Sequence, residues 1–137
     1  MTQKLKIGEV AKTTGLPVKT IRYYEDIGLL SPAVERSQGH YRLFDASVLN
    51  RLAFIRRSQT LGLNLKEIQQ LLAVHDHGEL PCDQAKQHLE AKVAEISQQI
   101  DTLITLRAEL QGLLSGWQEQ PAPDRLQHRI CPNIQKD

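Results

Sequence analysis

The chain has 137 residues and a formal net charge of +1, and only 4% of its residues are aromatic. This length predicts one compact domain or two small ones. No run of about 18 apolar residues occurs, and the N-terminal segment lacks the apolar core of a signal peptide, so we expect a cytoplasmic protein without membrane association.

The charge is unevenly divided along the chain. Residues 1–62 contain ten basic against five acidic residues, a balance of +5, whereas residues 63–137 contain seven basic against eleven acidic residues, a balance of −4. A locally basic segment is typical of a surface that binds a polyanion. We therefore expect a nucleic-acid partner for the first part of the chain only.

The first 30 residues are predicted to form two short helices joined by a tight turn. Apolar residues at i, i+3 and i+4 from Ile7 predict an amphipathic helix that ends at Gly15. Pro17 suits the first turn of a second helix, which ends at Gly28. Two short helices with a glycine-containing turn form a helix-turn-helix.

The second of these helices contains the sequence RYY at residues 22–24. Groups that can reach phosphates and base edges follow one another in it: Lys19, Thr20, Arg22 and Tyr23. The alternative interpretation is that one tyrosine packs in the core and the arginine is merely solvated. The local positive charge favours DNA binding.

The segment from 31 to 44 predicts a hairpin. Pro32 ends the preceding helix and Gly39 suits a turn, so that the flanking AVER and HYRLF pair as short strands. A hairpin at this place would form a wing beside the helix-turn-helix. It would add a second set of DNA-contacting residues: Arg36, His40, Tyr41 and Arg42.

Two further helices are predicted before residue 80. Asp45 suits the N-cap of the first, and Gly62 suits its end. Asn64 and Glu67 have the spacing of a capping box at the start of the second.

A long helix is predicted from Pro81 to Gly116 or Trp117. Its apolar residues follow at steps of three and four: Leu89, Val93, Ile96, Ile100, Leu103, Leu106, Leu110, Leu113 and Trp117. About 35 residues make a rod of roughly 50 Å, and this nearly heptad pattern is typical of a coiled coil. A domain this small cannot bury such a stripe, so we expect a homodimer.

A close resemblance to the MerR family of bacterial transcription regulators rests on two segments, IGEVAKTTGLPVKTIRYYEDIGLLSP and GHYRLFDASVLNRLAFIRRSQTLGLNLKEI. It implies a mainly α fold, with a winged helix-turn-helix DNA-binding domain and a long antiparallel coiled-coil dimerisation helix. The implied boundaries are 1–44 for the DNA-binding domain, 45–80 for a helical connector, 81–117 for the dimerisation helix and 118–137 for a metal-binding loop and tail.

The resemblance also implies a mode of action. A dimer of this family binds double-stranded promoter DNA whose two polymerase-recognition elements are spaced too far apart. When an effector binds, the dimer distorts the spacer so that RNA polymerase engages both elements. Such regulation acts through the deformation energy of DNA, and the effector favours one of two dimer geometries.

The effector implied is a divalent metal ion, Zn, Cd, Hg or Pb. Two cysteines are too few for a disulfide framework, and the tail is too short for a drug-binding domain. Divalent-metal sensors of the family carry a cysteine where Cys82 stands, and CPNI at Cys131 resembles the end of the family's metal loop. Antiparallel pairing would bring Cys82 of one chain near Cys131 of the other.

The match departs from the family at Trp117, where mercury sensors have a third cysteine. Two thiolates can hold a soft ion linearly, whereas a tetrahedral zinc site needs two further ligands. The further candidates are, in decreasing order, His128, His75, His77, Glu119 and Asp124. Each candidate also has a structural interpretation without metal. His128 would be a solvent-exposed loop histidine, His75 and His77 would belong to a polar helix end, and Cys82 would be a small buried helix residue.

Two other functions compete with metal sensing. A MerR-like regulator could sense thiol redox state or an electrophile through Cys82 and Cys131. An enzyme is not expected, because the sequence has no nucleophile–base pair, Gly-rich phosphate loop or paired catalytic carboxylates.

Overall fold

The computed structural model describes residues 4–36, 41–122 and 128–135. The chain divides into two compact units, Met1–Lys92 and Val93–Asp137. The elements follow in chain order as β1 (Lys4–Lys6), α1 (Ile7–Thr14), α2 (Val18–Asp26), β2 (Val34–Arg36), β3 (Arg42–Asp45), α3 (Ser47–Thr60), α4 (Leu65–Asp76) and α5 (Cys82–Ser115).

The turn between α1 and α2 begins at Gly15, as predicted. Gly15 has a left-handed φ of 75°, and its N–H donates to the carbonyl of Ala11 at 2.8 Å. A side chain at such a φ costs about 1–2 kcal/mol, so glycine ends α1 without strain. The turn brings Ile21 of α2 into the core, where it is fully buried. The predicted helix-turn-helix is therefore confirmed.

The strands form one antiparallel sheet in the order β1-β3-β2. The predicted hairpin is confirmed, since β2 pairs with β3 and Val34 lies opposite Phe44. The first strand, β1, was not predicted, and it places Leu5 opposite Phe44 on the other edge of β3. Phe44 is fully buried, so the middle strand anchors the wing to the core.

The core of the first unit lies between the helix-turn-helix, the sheet, α3 and α4. Its fully buried large side chains are Val10, Ile21, Leu29, Leu30, Phe44, Val48, Leu52, Ile55, Ile68 and Leu71. At about 1.5–3 kcal/mol for each such side chain, this burial is the main stabilising contribution to the unit. The core thus holds the helix-turn-helix and the wing in one compact body.

The predicted N-caps of α3 and α4 have different outcomes. The predicted capping box is confirmed: Glu67 N–H donates to Asn64 Oδ1 at 2.8 Å, and Asn64 N–H donates to Glu67 Oε1 at 2.9 Å. The prediction for α3 was one residue off, because Ala46 is the N-cap residue. Asp45 still accepts from Ser47 N–H at 3.1 Å, and its hydrogen bonds with Ser47 hold its pKa below the ordinary value.

The longest helix, α5, has 34 residues, all of them described, and none of them is buried in the single chain. Apart from the half-buried Leu113, the large apolar side chains of the predicted stripe are 37–64% exposed. The long helix and its exposed stripe were therefore predicted correctly. Within the described part of the chain, no helix is both long and apolar enough to cross a membrane.

Candidate nucleic-acid interface and metal-binding thiols

One face of α2 packs on the core, and the other faces solvent. Ile21 and Tyr24, one turn apart, are buried. Lys19, Arg22 and Tyr23 follow the i, i+3, i+4 spacing of a single helix face and are exposed. Three of the predicted DNA-contacting groups therefore share one accessible surface.

The two tyrosines of the RYY sequence have different environments. The hydroxyl of Tyr24 donates to Gln59 Oε1 at 2.9 Å, which ties α2 to α3. Tyr23 is 53% exposed. Thr20 is half-buried. The side chain of Arg22 makes no hydrogen bond or ion pair with the described residues. One tyrosine thus packs in the core, while Tyr23 and Arg22 remain accessible.

The wing carries the second set of predicted contacts. Tyr41 is 70% exposed, and the Arg36 side chain is half exposed. Arg42 is largely covered, with 21% of its side chain exposed. His40 lies outside the residues that the structure describes.

A carboxylate missed by the sequence analysis connects α2 to the wing. Arg42 Nε donates to Glu25 Oε2 at 2.5 Å, and Arg36 Nη2 lies 3.6 Å from Glu25 Oε1. The Glu25 side chain is only 14% exposed. The sequence offered one signal of this contact: Glu25 is an acidic residue on a helix that was expected to bind a polyanion.

The start of α5 borders a cavity of about 420 Å³ within the first unit. Its polar lining includes Arg51, His75, Asp76 and Cys82, and apolar side chains from α3 and α4 supply much of the rest. The Arg51 guanidinium forms two hydrogen bonds with Asp76 and holds the pKa of that carboxyl below its ordinary value. His75 and Cys82 therefore border one cavity, as two of the predicted metal ligands.

The candidate ligands of the first unit are accessible. Cys82, the first residue of α5, is exposed. His75 lies in the last turn of α4, and His77 caps its C-terminus; both are exposed. A metal ion in solvent can therefore reach these three side chains.

Cys131 is held in a turn of the second unit. Its carbonyl accepts from the N–H groups of Ile134 and Gln135 at 3.1 and 2.9 Å. The buried Asn133 anchors this turn: its Oδ1 accepts from Gln118 N–H and its Nδ2 donates to Gln118 O, both at 2.9 Å. Asn133, which the sequence analysis did not single out, thus fixes the half-buried Cys131 beside the residues that follow α5.

The remaining candidate ligands that the structure describes are not assembled into one group. His128 and Glu119 are exposed, and Asp124 lies outside the described residues. Cys82 belongs to the first compact unit and Cys131 to the second. Among the residues that the structure describes, no cluster of three or more His, Cys, Asp or Glu is placed to hold a metal ion.

Comparison with known proteins identifies the family. The model of the MerR HTH family regulatory proteins matches residues 5–74, and the model described as "MerR, DNA binding" matches residues 49–113. The HTH-type transcriptional regulator HmrR of Rhizobium leguminosarum bv. viciae is 36% identical, with 96% of each chain covered. The mercuric resistance operon regulatory protein of Bacillus cereus is 35% identical, with 96% of each chain covered.

A solved structure agrees with these relatives. The transcription regulator PbrR691 from Ralstonia metallidurans CH34, in complex with lead(II), is 36% identical and superposes with a TM-score of 0.72. The match covers 86% of this chain and 91% of that one. The helix-turn-helix, the wing and the long helix described above fall within one known architecture, and the chain belongs to the MerR family of DNA-binding transcription regulators.

Proposed function

We propose that the protein is a metal-responsive transcription regulator that binds promoter DNA as a homodimer. The observation that carries the proposal is the exposed face of α2, on which Lys19, Arg22 and Tyr23 stand together above a buried face. An ammonium, a guanidinium and a phenol on one accessible helix face suit contacts with phosphates and base edges. Thr20 lies at the edge of this surface.

The wing extends the proposed interface. Arg36 and Tyr41 are exposed on it, and His40 precedes Tyr41 in the sequence. Arg42 belongs to the same hairpin, but its guanidinium already binds Glu25. A wing beside a recognition helix contributes mainly phosphate contacts, which set the position of the protein on the duplex.

Homodimerisation is proposed from the exposed stripe of α5. Ile96, Ile100, Leu103 and Leu110 are each about half exposed or more in the single chain. Burying apolar surface contributes roughly 25 cal/mol per Å², so a second α5 packed on the stripe would stabilise both helices. Two copies in antiparallel arrangement would also present two recognition helices to one promoter.

The proposed effector is a divalent ion of zinc, cadmium, mercury or lead. Relatives are named for a mercuric resistance operon and for a complex with lead(II). Thiolate and imidazole are the ligands that these soft and borderline ions prefer. Cys82 at the start of α5 is accessible, as are His75 and His77 at the end of α4. We propose that Cys82 of one copy and Cys131 of the other bind the ion, with His128, His75 or His77 completing the site.

Metal binding would then bias the dimer between two geometries. A site built from two copies has a different affinity for each geometry, and only such a difference lets an ion shift the equilibrium. The proposed output is distortion of the promoter spacer, which brings both promoter elements into register for RNA polymerase.

Two measurements test the proposal. A random duplex library selected on the protein, followed by anisotropy titration with a selected duplex, tests DNA binding. Titration of the reduced protein with Zn(II), Cd(II), Hg(II) and Pb(II), monitored by thiolate-to-metal absorption, tests the effector. Absence of selected DNA would contradict the regulator, and absence of metal binding would contradict the effector class.

Thiol sensing is the second candidate, favoured by the exposure of Cys82. An accessible thiol can be oxidised or alkylated when its thiolate form is populated. If the reduced protein binds no divalent ion, but a mild oxidant reversibly changes promoter activity in vitro, redox sensing replaces metal sensing.

A further inference from the structure

We propose that Glu25 is a positioning residue which holds the Arg42 guanidinium against α2, so that this arginine orients the wing and does not contact DNA phosphate. This inference rests on the proposed function, because it assigns roles within the DNA-binding surface. It also differs from the sequence-based expectation that Arg42 itself binds DNA.

The first argument is the geometry of the pair. Arg42 Nε and Glu25 Oε2 are 2.5 Å apart, and Arg42 Nη2 lies 3.8 Å from Asp26 Oδ1. The side chains of Arg42 and Glu25 are 21% and 14% exposed. Hydrogen bonds between ionised groups are shorter and stronger than neutral ones, and partial burial protects them from screening by salt.

The second argument is the position of Glu25 between two elements. It lies on α2, whereas Arg36 and Arg42 face each other across the register of β2 and β3. One carboxylate therefore contacts both strands of the wing, with Arg36 Nη2 at 3.6 Å from Oε1. Such a contact restricts the angle between the recognition helix and the wing.

The third argument concerns the net charge of the protein surface that faces DNA. An anionic side chain beside a phosphate-binding surface is unfavourable unless a cation neutralises it. The Glu25–Arg42 pair is neutral as a unit, so it adds no net attraction to DNA. Without the Glu25 carboxylate, Arg42 loses its hydrogen bond and keeps only the 3.8 Å contact with the exposed Asp26. It is then a cation on a long side chain next to the recognition helix, and it can reach a phosphate.

The salt dependence of DNA affinity separates these roles. Each phosphate neutralised by a cation adds about 0.9 to the magnitude of the slope of log K against log salt. We expect Glu25→Gln to steepen the slope by about this amount for each subunit, because Arg42 is released. Its affinity for unselected duplex should rise relative to its affinity for the selected duplex.

Two further variants identify the released cation. The double variant Glu25→Gln/Arg42→Gln keeps the net charge of the wild type and should return the slope to the wild-type value. Glu35→Gln is the matched control, since it makes the same change on the wing, where the Glu35 carboxylate lies 3.6 Å from Lys4 Nζ. Lys4 retains Asp45 at 3.9 Å, so Glu35→Gln should leave the slope nearly unchanged.

The experiment uses the 137-residue protein and the selected duplex between 50 and 200 mM salt, roughly the range in which phosphate contacts dominate the change in affinity. An unchanged or shallower slope for Glu25→Gln would overturn the inference, as would equal steepening by Glu35→Gln. A double variant with a slope shallower than wild type would show that Arg42 contacts DNA directly. If Glu25→Gln does not fold, the double variant, which removes both charges of the Glu25–Arg42 pair, still tests whether Arg42 contacts DNA.

Failure of the inference and failure of the proposed function give different results. If the wild-type protein selects no duplex, the regulator itself is contradicted. If it binds a selected duplex and the Glu25 variants do not alter the salt slope as expected, only the role of Glu25 is contradicted.

Discussion

Arg51 and Asp76 form a two-point ion pair between α3 and the end of α4. Arg51 Nη1 and Nη2 lie 2.7 and 2.9 Å from the two carboxylate oxygens of Asp76. The third guanidinium nitrogen, Nε, donates to the carbonyl of Leu29, just after α2. The Arg51 side chain is only 9% exposed. One side chain therefore ties the helix-turn-helix, α3 and α4 together beside the cavity that Cys82 borders.

Removing this guanidinium should destabilise the first unit. Arg51→Ala leaves the Leu29 carbonyl and the Asp76 carboxylate without their partner, at a cost of about 1–3 kcal/mol in the free energy of unfolding. Urea denaturation followed by circular dichroism measures the change. Arg57→Ala is the control, because the Arg57 side chain is exposed on the same helix and makes no hydrogen bond or ion pair with the described residues. Equal losses in the two variants would show that the pair contributes nothing.

The same pair predicts a pH dependence. Hydrogen bonding from Arg51 lowers the pKa of Asp76 below its ordinary value of 3.8. A carboxyl with a lowered folded-state pKa stabilises the protein above its unfolded-state pKa, and the stabilisation is lost as pH falls through the folded-state pKa. The stability difference between wild type and Asp76→Asn should thus be constant near neutral pH and shrink below about pH 4. A difference that grows on acidification would contradict the assignment.

Substitution of the recognition helix should weaken DNA binding. Arg22→Ala removes an exposed guanidinium from α2, and we expect a loss of about 1–3 kcal/mol in the free energy of binding to a selected duplex. Fluorescence anisotropy measures the affinity, and size-exclusion chromatography verifies that the dimer persists. Arg107→Ala makes the same change on α5 and should leave the affinity unaltered. An unchanged affinity for Arg22→Ala would remove α2 from the interface.

A charge in the exposed stripe should separate the proposed dimer. Ile100→Asp places a carboxylate among apolar side chains of two helices, where an unpaired charge is strongly unfavourable. Sedimentation velocity should show a monomer at concentrations where the wild type is dimeric. Gln98→Asp adds the same charge on the opposite side of α5 and should remain dimeric. If Ile100→Asp also remains dimeric, the stripe is not the interface.

Loss of the α5 thiol should abolish the metal response and leave DNA binding intact. Cys82→Ser replaces a soft thiolate ligand with a hydroxyl, which soft and borderline ions bind poorly. In vitro transcription from the promoter with each divalent ion measures the response, and anisotropy measures the DNA affinity. Induction that survives in Cys82→Ser would place the ion elsewhere, while loss of DNA binding would indicate a structural role for the residue.

Local signals in the sequence were sufficient for most of the helices. Gly15 has the left-handed φ that ends α1, and Asn64 and Glu67 form the predicted capping box. These features depend on residues within four positions of one another, so their spacing can be read directly. The exposed stripe of α5 was predictable for the same reason, because helix periodicity alone places its residues on one face.

The features that the sequence analysis missed depend on residues far apart in the chain. The first strand, β1, has only three residues and exists through its pairing with β3. Arg42 contacts Glu25 across 17 residues, and Asn133 anchors its turn on Gln118 across 15. The periodicity of a helix or strand relates only nearby residues, so it does not predict which distant residues become partners.

The sequence by itself determined the helices, the capping box of α4 and the resemblance to the MerR family, because short-range spacing and side-chain type control each of them. Only the tertiary structure decided which of the charged residues are accessible. It paired Arg42 with Glu25 and Arg51 with Asp76, while Arg22 remained on the exposed face of α2. The physical reason is that the partner of a guanidinium is set by how the core packs the elements together, and that packing joins positions that the linear order keeps apart.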